Sequence, residues 1–245
     1  MMERRMKNFV VLDLETTGLT PKTDRILEIG AVKVVDGEIK ERYSTFINPQ
    51  MEIPRRITEL TGITGDMVKD APLREEAVRG LVEFCQELPL LGHNILFDYS
   101  FVKHDAVNLG LAFEKEALDT LQIARQALPE LESRSLEFLC SYYGICRENA
   151  HRAMDDAMET LELYRILEKQ FAGEHPEWFQ TKPLICKVKK EGPITRAQIG
   201  YLKDLMEYHH LTLDVEIESM TKNEASRTID SILSNYGRIA RKRNV

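Results

Sequence analysis

Apolar and polar positions repeat with two periods along the chain, and the switches between them predict its elements. Residues 8–14 (NFVVLDL) are a short apolar run rich in β-branched side chains, which predicts a buried strand. Residues 26–35 and 39–47 predict two more, joined at Asp36-Gly37, a pair that tolerates the positive φ of a tight hairpin. Pro54 then opens a short helix through Leu60, and the spacing of Leu73, Ala77, Leu81, Phe84 and Leu88 is helical up to Pro89. Leu90-Leu91-Gly92 predicts a brief strand, residues 97–109 a helix ending at Gly110, and Leu118 the close of a fifth strand. Residues 120–171 read as three helices, interrupted at Pro129 and by a loop over 143–150. Three strands first, followed by strand–helix alternation and then helices, predict an α/β fold with a mixed five-stranded sheet flanked by helices.

The pattern loosens over residues 173–193, where Pro176, Pro183, Gly192 and Pro193 occur with Lys187, Lys189 and Lys190. We expect a linker there. Beyond it, Thr195 can cap a helix running to about His209, and Thr221 with Glu224 makes a capping box for a second helix through Tyr236. The expected organisation is a main domain at 1–172, a linker at 173–193 and a small helical accessory domain at 194–245.

Charge modifies this picture. The whole chain has a formal net charge of −7, which by itself argues against a phosphate-rich partner. From Lys182 onward, however, twelve basic residues face eight acidic ones, so the acidic excess lies in the body. Arg238, Arg241, Lys242 and Arg243 end the chain as either a nucleic-acid handle or a solvated tail. No apolar run approaches the ~20 residues of a membrane span, and the N-terminal MMERRMKNFVVLDLE lacks the apolar stretch of a secretory signal, so a cytoplasmic location is expected. Cys85, Cys140, Cys146 and Cys186 form no close-spaced metal pair and read as reduced core thiols.

Three segments carry candidate chemistry. In DLETTGL, Asp13 and Glu15 are two apart on a strand and project to one side, an arrangement of like charges that a cation would relieve. Thr16, Thr17 and Gly18 follow, with Gly18 permitting close backbone approach. A strand end followed by a turn accounts for the same residues. In GHNILFD, Asp98 follows a short apolar strand and starts a helix, where it would also serve as an N-cap. In HRAMDDA, His151 precedes an amphipathic helix whose first turn holds Asp155 and Asp156, acids that suit a helix N-terminus in any case.

Taken jointly and in this order, the three segments resemble the motifs of the DEDDh (DnaQ-like) 3′–5′ exonucleases, the group of the proofreading epsilon subunit and exonuclease domain of bacterial replicative polymerases. The resemblance covers about residues 7–170 and extends to ITELTGIT at 57–64 and to Leu118-Asp119-Thr120-Leu121. It implies a ribonuclease H-like fold. It also implies that Asp13, Glu15, Asp98 and Asp156 hold two divalent ions, Mg²⁺ or Mn²⁺, with Asp13 shared between them and Asp98 acting directly or through water. Asp155 adjoins Asp156, and the family spacing selects Asp156.

By the same resemblance His151 is the general base, a task suited to an imidazole that ordinarily titrates near ~6.5. Substrate contacts are expected from Thr16, Thr17, Gly18 and Leu19, which hold the 3′-terminal nucleotide, and from His93 and Asn94. The implied substrate is the single-stranded or frayed 3′ end of DNA, the product a nucleoside 5′-monophosphate, and a DNA polymerase or other replication or repair protein is an expected partner. The alternatives are an exoribonuclease of the same family and a non-catalytic module that binds nucleic acid or a polymerase.

Overall fold

A computed structural model describes residues 6–146, 151–213 and 216–239, and these fall into two compact units, 1–188 and 189–245. In the first unit β1 (Phe9–Thr16), β2 (Ile26–Val35) and β3 (Glu38–Phe46) form an antiparallel meander. The β2–β3 hairpin turns at Asp36 and Gly37, with φ of 54° and 82°, the left-handed pair anticipated from the sequence. Three helices follow: α1 (Arg55–Thr61), α2 (Gly65–Val68) and α3 (Arg74–Cys85). β4 (Leu90–Gly92) then pairs parallel with β1, and α4 (Ile95–Asn108) leads to β5 (Glu116–Asp119), parallel to β4. The helices α5 (Thr120–Ala127), α6 (Leu136–Tyr143) and α7 (Ala153–Phe171) complete the main body.

The sheet has six strands in the order β3-β2-β1-β4-β5-β6, one more than expected. The additional strand, β6 (Lys182–Pro183), comes from the segment expected to be a linker and pairs antiparallel with β5. Pro183 is compatible with that place because an outer edge asks for no further ladder partner. A 3₁₀ turn at Pro176–Phe179 precedes it, and Phe179 is buried against Tyr164 of α7. Residues 173–188 are thus part of the first unit, and the division falls between Val188 and Lys189.

Strand alternation sorts β1 between two cores. Val10, Leu12 and Leu14 pack with residues of α3 and α4, whereas Phe9 and Val11 pack with residues of α5, α6 and α7. β2 divides the same way, its Ile29 and Ala31 on the first side and Val32 and Val34 on the second. Odd positions of β1 and even positions of β2 therefore look toward α7.

The second unit holds α8 (Arg196–His209) and α9 (Lys222–Tyr236), each begun by the predicted threonine. Thr195 with Gln198 and Thr221 with Glu224 both close capping boxes. Leu202, Leu205, Ile217, Met220, Ala225 and Ile232 form its core. Arg241, Lys242 and Arg243, the end of the expected basic tail, lie outside the described residues. Among the described residues no helix is long and apolar enough to cross a membrane. Cys85 and Cys140 are buried as expected of core thiols, but Cys186 is half-buried and Cys146 exposed, since the latter sits just past the left-handed Gly144 that ends α6.

Candidate active site

Asp13 and Glu15 lie on the odd face of β1 and so project toward α7, at the end of the strand where it leaves the sheet. α7 comes close because of a glycine. Gly30 of β2 stands opposite Asp13, and a Cβ there would lie 2.1 Å from the carbonyl carbon of Ala153, so the first turn of α7 rests on bare backbone. This brings in Asp156, which is buried, and His151, which holds a left-handed backbone with φ of 64°. Ligand atoms of Glu15, His151 and Asp156 all lie within 4.8 Å of one another.

Asp98 arrives from α4, on the opposite side of the sheet. It is buried, and its Oδ1 accepts the backbone N–H of Leu14 at 3.0 Å, which ties the first turn of α4 to the strand between Asp13 and Glu15. All five residues expected to carry the chemistry thus gather at one end of β1. Asp98 and Asp156 are buried while Asp13, Glu15 and His151 are partly exposed, so the cluster opens to solvent on one side.

The electrostatics are those of a site short of positive charge. Burial, and then Asp98, Asp156, Glu15 and Glu28, hold the Asp13 carboxyl well above the usual carboxylate range. Asp98 is raised chiefly by burial and less by Glu15 and Asp119, against the opposing hydrogen bond from Leu14. Glu15 is pushed up to about 7 by burial, Asp156 and Glu28, with Arg152 pulling the other way. Converging carboxylates that repel one another, with an imidazole at their edge, fit divalent cations with a preference for oxygen ligands.

The loop after Glu15 is tightly organised. Thr16 Oγ1 donates to the carbonyl of Gly18 at 2.6 Å, and Thr17 Oγ1 accepts the N–H of Arg25 at 2.9 Å. Asp24 accepts the N–H of Thr20 at 2.7 Å, and a Cβ at Gly18 would sit 2.5 Å from the Asp24 carboxyl carbon. Both threonine hydroxyls thus take part in the loop's own hydrogen bonds, and Leu19 is 80% exposed.

His93 differs from the expectation of a substrate contact. Its Nδ1 lies 2.9 Å from Thr120 Oγ1 and its Nε2 2.8 Å from the carbonyl of Arg134, so both ring nitrogens have partners within the chain. Burial holds its pKa below the usual imidazole value, against the Arg134 carbonyl and Asp119. Asn94 takes a left-handed conformation with φ of 66°, and its N–H donates to Asp119 Oδ1 at 2.9 Å. The same Asp119 oxygen accepts Leu121 N–H and caps α5. Asp119 and Thr120 therefore hold the second motif in place, and Leu118-Asp119-Thr120-Leu121 was their trace in the sequence.

One further pair has no such trace. Glu28, 2% exposed, accepts hydrogen bonds from the Arg152 guanidinium and from the N–H of Ala153. In the sequence Glu28 is one acid within a predicted strand, and nothing local distinguishes it.

Known proteins resemble this chain in sequence and in fold. An exonuclease family model (RNase T type) matches residues 10–164. The PolC-type DNA polymerase III of Clostridium perfringens is 41% identical over 166 residues, covering 68% of this chain and 12% of that one. That of Thermotoga maritima is 34% identical over 235 residues, covering 93% of this chain and 16% of its own. The chain therefore spans only 12% and 16% of the length of these two relatives. Among solved structures, E. coli exonuclease I in complex with a dT13 oligonucleotide aligns with a TM-score of 0.62 at 20% identity, over 71% of this chain and 42% of that one. Exonuclease X in complex with 5′ overhanging duplex DNA aligns with a TM-score of 0.54 at 23% identity, over 70% and 99%. These two likenesses establish the ribonuclease H-like fold of the sheet and its helices. Three motifs in order, their convergence at the end of β1 and the match over residues 10–164 together assign the chain to the DEDDh exonuclease family.

Proposed function

We propose that the chain is a metal-dependent 3′–5′ exonuclease that hydrolyses the terminal phosphodiester bond of single-stranded or frayed DNA ends. The observation that carries this reading is the gathering of Glu15, His151 and Asp156 within 4.8 Å, although the last two lie far along the chain from the first. Asp13 and Asp98 stand close enough for Asp98 to raise the pKa of Asp13.

Asp13, Glu15, Asp98 and Asp156 would hold two divalent ions, Mg²⁺ or Mn²⁺. Such ions, when bound, stabilise the attacking and leaving oxygens and the charge between them. His151 takes a proton from the attacking water at a ring nitrogen. The water oxygen bonds to phosphorus, the bond from phosphorus to the 3′ oxygen of the preceding nucleotide breaks, that oxygen takes a proton from solvent, and His151 gives its proton back to solvent. The products are a nucleoside 5′-monophosphate and a strand shortened by one. The ordered loop at 16–19 supports a terminal-nucleotide seat, with exposed Leu19 against the last base. His93 and Asn94 act by shaping the second motif.

DNA is favoured because the relatives named above are DNA polymerases and the two structural neighbours carry DNA. A polymerase is accordingly the favoured partner, and residues 194–245 are an accessory piece for holding nucleic acid or that partner. An exoribonuclease is the second reading, since the same constellation serves either sugar. A non-catalytic module is disfavoured by the presence of all five side chains.

Digestion of 3′-labelled and 5′-labelled DNA, and of matched RNA, with and without Mn²⁺, tests the proposal. Release of 3′-terminal mononucleotides from DNA, dependent on Mn²⁺ and abolished by Asp13→Ala, is expected. Faster release from RNA would favour the second reading, and intact termini with Mn²⁺ present would overturn both.

A further inference from the structure

We propose that Glu28 and Arg152 form a positioning pair that fixes the start of α7, and with it His151 and Asp156, against the strand carrying Asp13 and Glu15. The proposal rests on the exonuclease reading, and neither residue belongs to the four-carboxylate set.

Glu28 stands directly across the β1–β2 ladder from Glu15, on the face turned to α7. Arg152 donates through Nε to Oε2 at 3.1 Å and through Nη2 to Oε1 at 2.9 Å, the two-pronged arrangement that the guanidinium plane permits. The guanidinium also lies over the Phe46 ring, 5.1 Å from its centroid, so strands β2 and β3 both hold it.

The second contact of Glu28 is a cap. α7 begins at Ala153, and its N-cap residue, Arg152, makes no side-chain capping bond. Glu28 Oε2 instead accepts the N–H of Ala153 at 3.3 Å, a carboxylate from another element placed where a helix start attracts negative charge. With its oxygens turned to Arg152 and Ala153, Glu28 serves as an anchor, although it lies close enough to raise both Asp13 and Glu15.

Location makes the pair matter. His151 immediately precedes Arg152 and holds a φ of 64°, a conformation that a non-glycine residue keeps only where its surroundings impose it. Asp156 follows one helical turn later, and its N–H donates to the carbonyl of Arg152 at 3.0 Å. A guanidinium held at its edge by Glu28 and on one face by Phe46 therefore sits between the two groups of the third motif and limits the movement of each. The charge matters too, because a carboxylate buried beside Glu15 without a counter-ion would deepen the repulsion within the site.

Glu28→Gln, Arg152→Lys, Arg152→Gln and the double variant Glu28→Gln with Arg152→Gln, all in the full chain, test the pair. Mn²⁺ affinity is read by calorimetry without DNA, kcat and KM on a single-stranded oligonucleotide, and thermal melting alongside. Arg152→Gln and Glu28→Gln are expected to weaken Mn²⁺ binding about 10-fold and to lower kcat by 10- to 100-fold with KM nearly unchanged, the range seen when groups that orient ligands are lost. Arg152→Lys keeps the charge without the fork, so it should restore melting more than kcat. The double variant should be no worse than the poorer single. Unchanged Mn²⁺ affinity and kcat in folded variants, or losses that multiply in the double, would overturn the pair. Should Arg152→Gln or Glu28→Gln fail to fold, Arg152→Lys decides by the same two readouts. A wild-type chain that binds Mn²⁺ but leaves DNA intact would overturn the exonuclease reading alone, since the Mn²⁺ comparison still decides the pair.

Discussion

Gly30 faces Asp13 across the β1–β2 ladder, and the Cβ it lacks would lie 2.2 Å from the carbonyl oxygen of Ala153. The obstructing atoms are backbone, so no side chain can swing aside. Gly30→Ala must push α7 from the sheet and carry His151 and Asp156 away from Asp13 and Glu15. We expect a loss of about 3 kcal/mol in stability, with nuclease activity falling below detection. Calorimetric melting and a mononucleotide-release assay check this, and an active variant with unchanged melting would show that α7 does not rest on β2.

The carboxylates strain the metal-free fold. Glu15 is raised to about 7, so above that pH it is ionised in both folded and unfolded chains and the fold bears the repulsion. As pH falls from about 7 toward the ordinary carboxylate range, the folded chain takes up the proton first and gains stability. In chelator, melting should therefore rise on acidification through that window. Glu15→Gln should be more stable than wild type at pH 8 by about 1 kcal/mol while losing activity. A metal-free variant less stable than wild type at pH 8 would contradict this.

His93 has the opposite sign of dependence. Its folded pKa lies below the usual imidazole value because the ring is buried, so the unfolded chain takes up a proton that the fold resists. Stability linked to His93 is complete above the ordinary imidazole pKa of ~6.5 and declines as pH falls below it. His93→Ala should flatten that decline and lower stability by about 1–3 kcal/mol, chiefly through the Arg134 carbonyl left unpaired, since Thr120 keeps its bond to the Gly92 carbonyl. Denaturant melts at several pH values test this, and a KM for DNA raised many-fold with unchanged stability would return His93 to a substrate contact.

His151→Ala should lower kcat by roughly 10²–10³-fold while DNA affinity stays within about threefold. Single-turnover rates and filter binding measure the two separately. A variant that retains full turnover would remove His151 as the base.

Truncation after Val188 cuts between the two compact units and leaves β6 in place. The remaining chain should keep its melting transition and its chemistry. If residues 189–245 hold nucleic acid, DNA affinity falls and its dependence on salt becomes shallower; the same affinity and salt slope would leave partner docking as their task.

Much of this was readable from local pattern. The β-branched run before Asp13, the Asp36-Gly37 turn, the 3.6-residue repeat from Leu73 and the two threonine caps are preferences of adjacent residues, and each element formed close to where they indicated. The reactive set was legible for a different reason. The three motifs follow one another as in the DEDDh exonucleases, and it is that resemblance that marks Asp13, Glu15, Asp98, His151 and Asp156 as the expected reactive set.

The supports of these elements were not legible, because periodicity reveals which side of an element is apolar and not which element will cover it. Lys182–Pro183 looked like linker until β5 offered an edge, and His93 looked available until Thr120 and Arg134 closed on its ring. Glu28 and Arg152 are 124 residues apart, and each is ordinary until α7 packs on β2. Short-range sterics and side-chain chemistry thus determined the elements and the reactive groups, whereas contacts between distant segments decided how those groups are held.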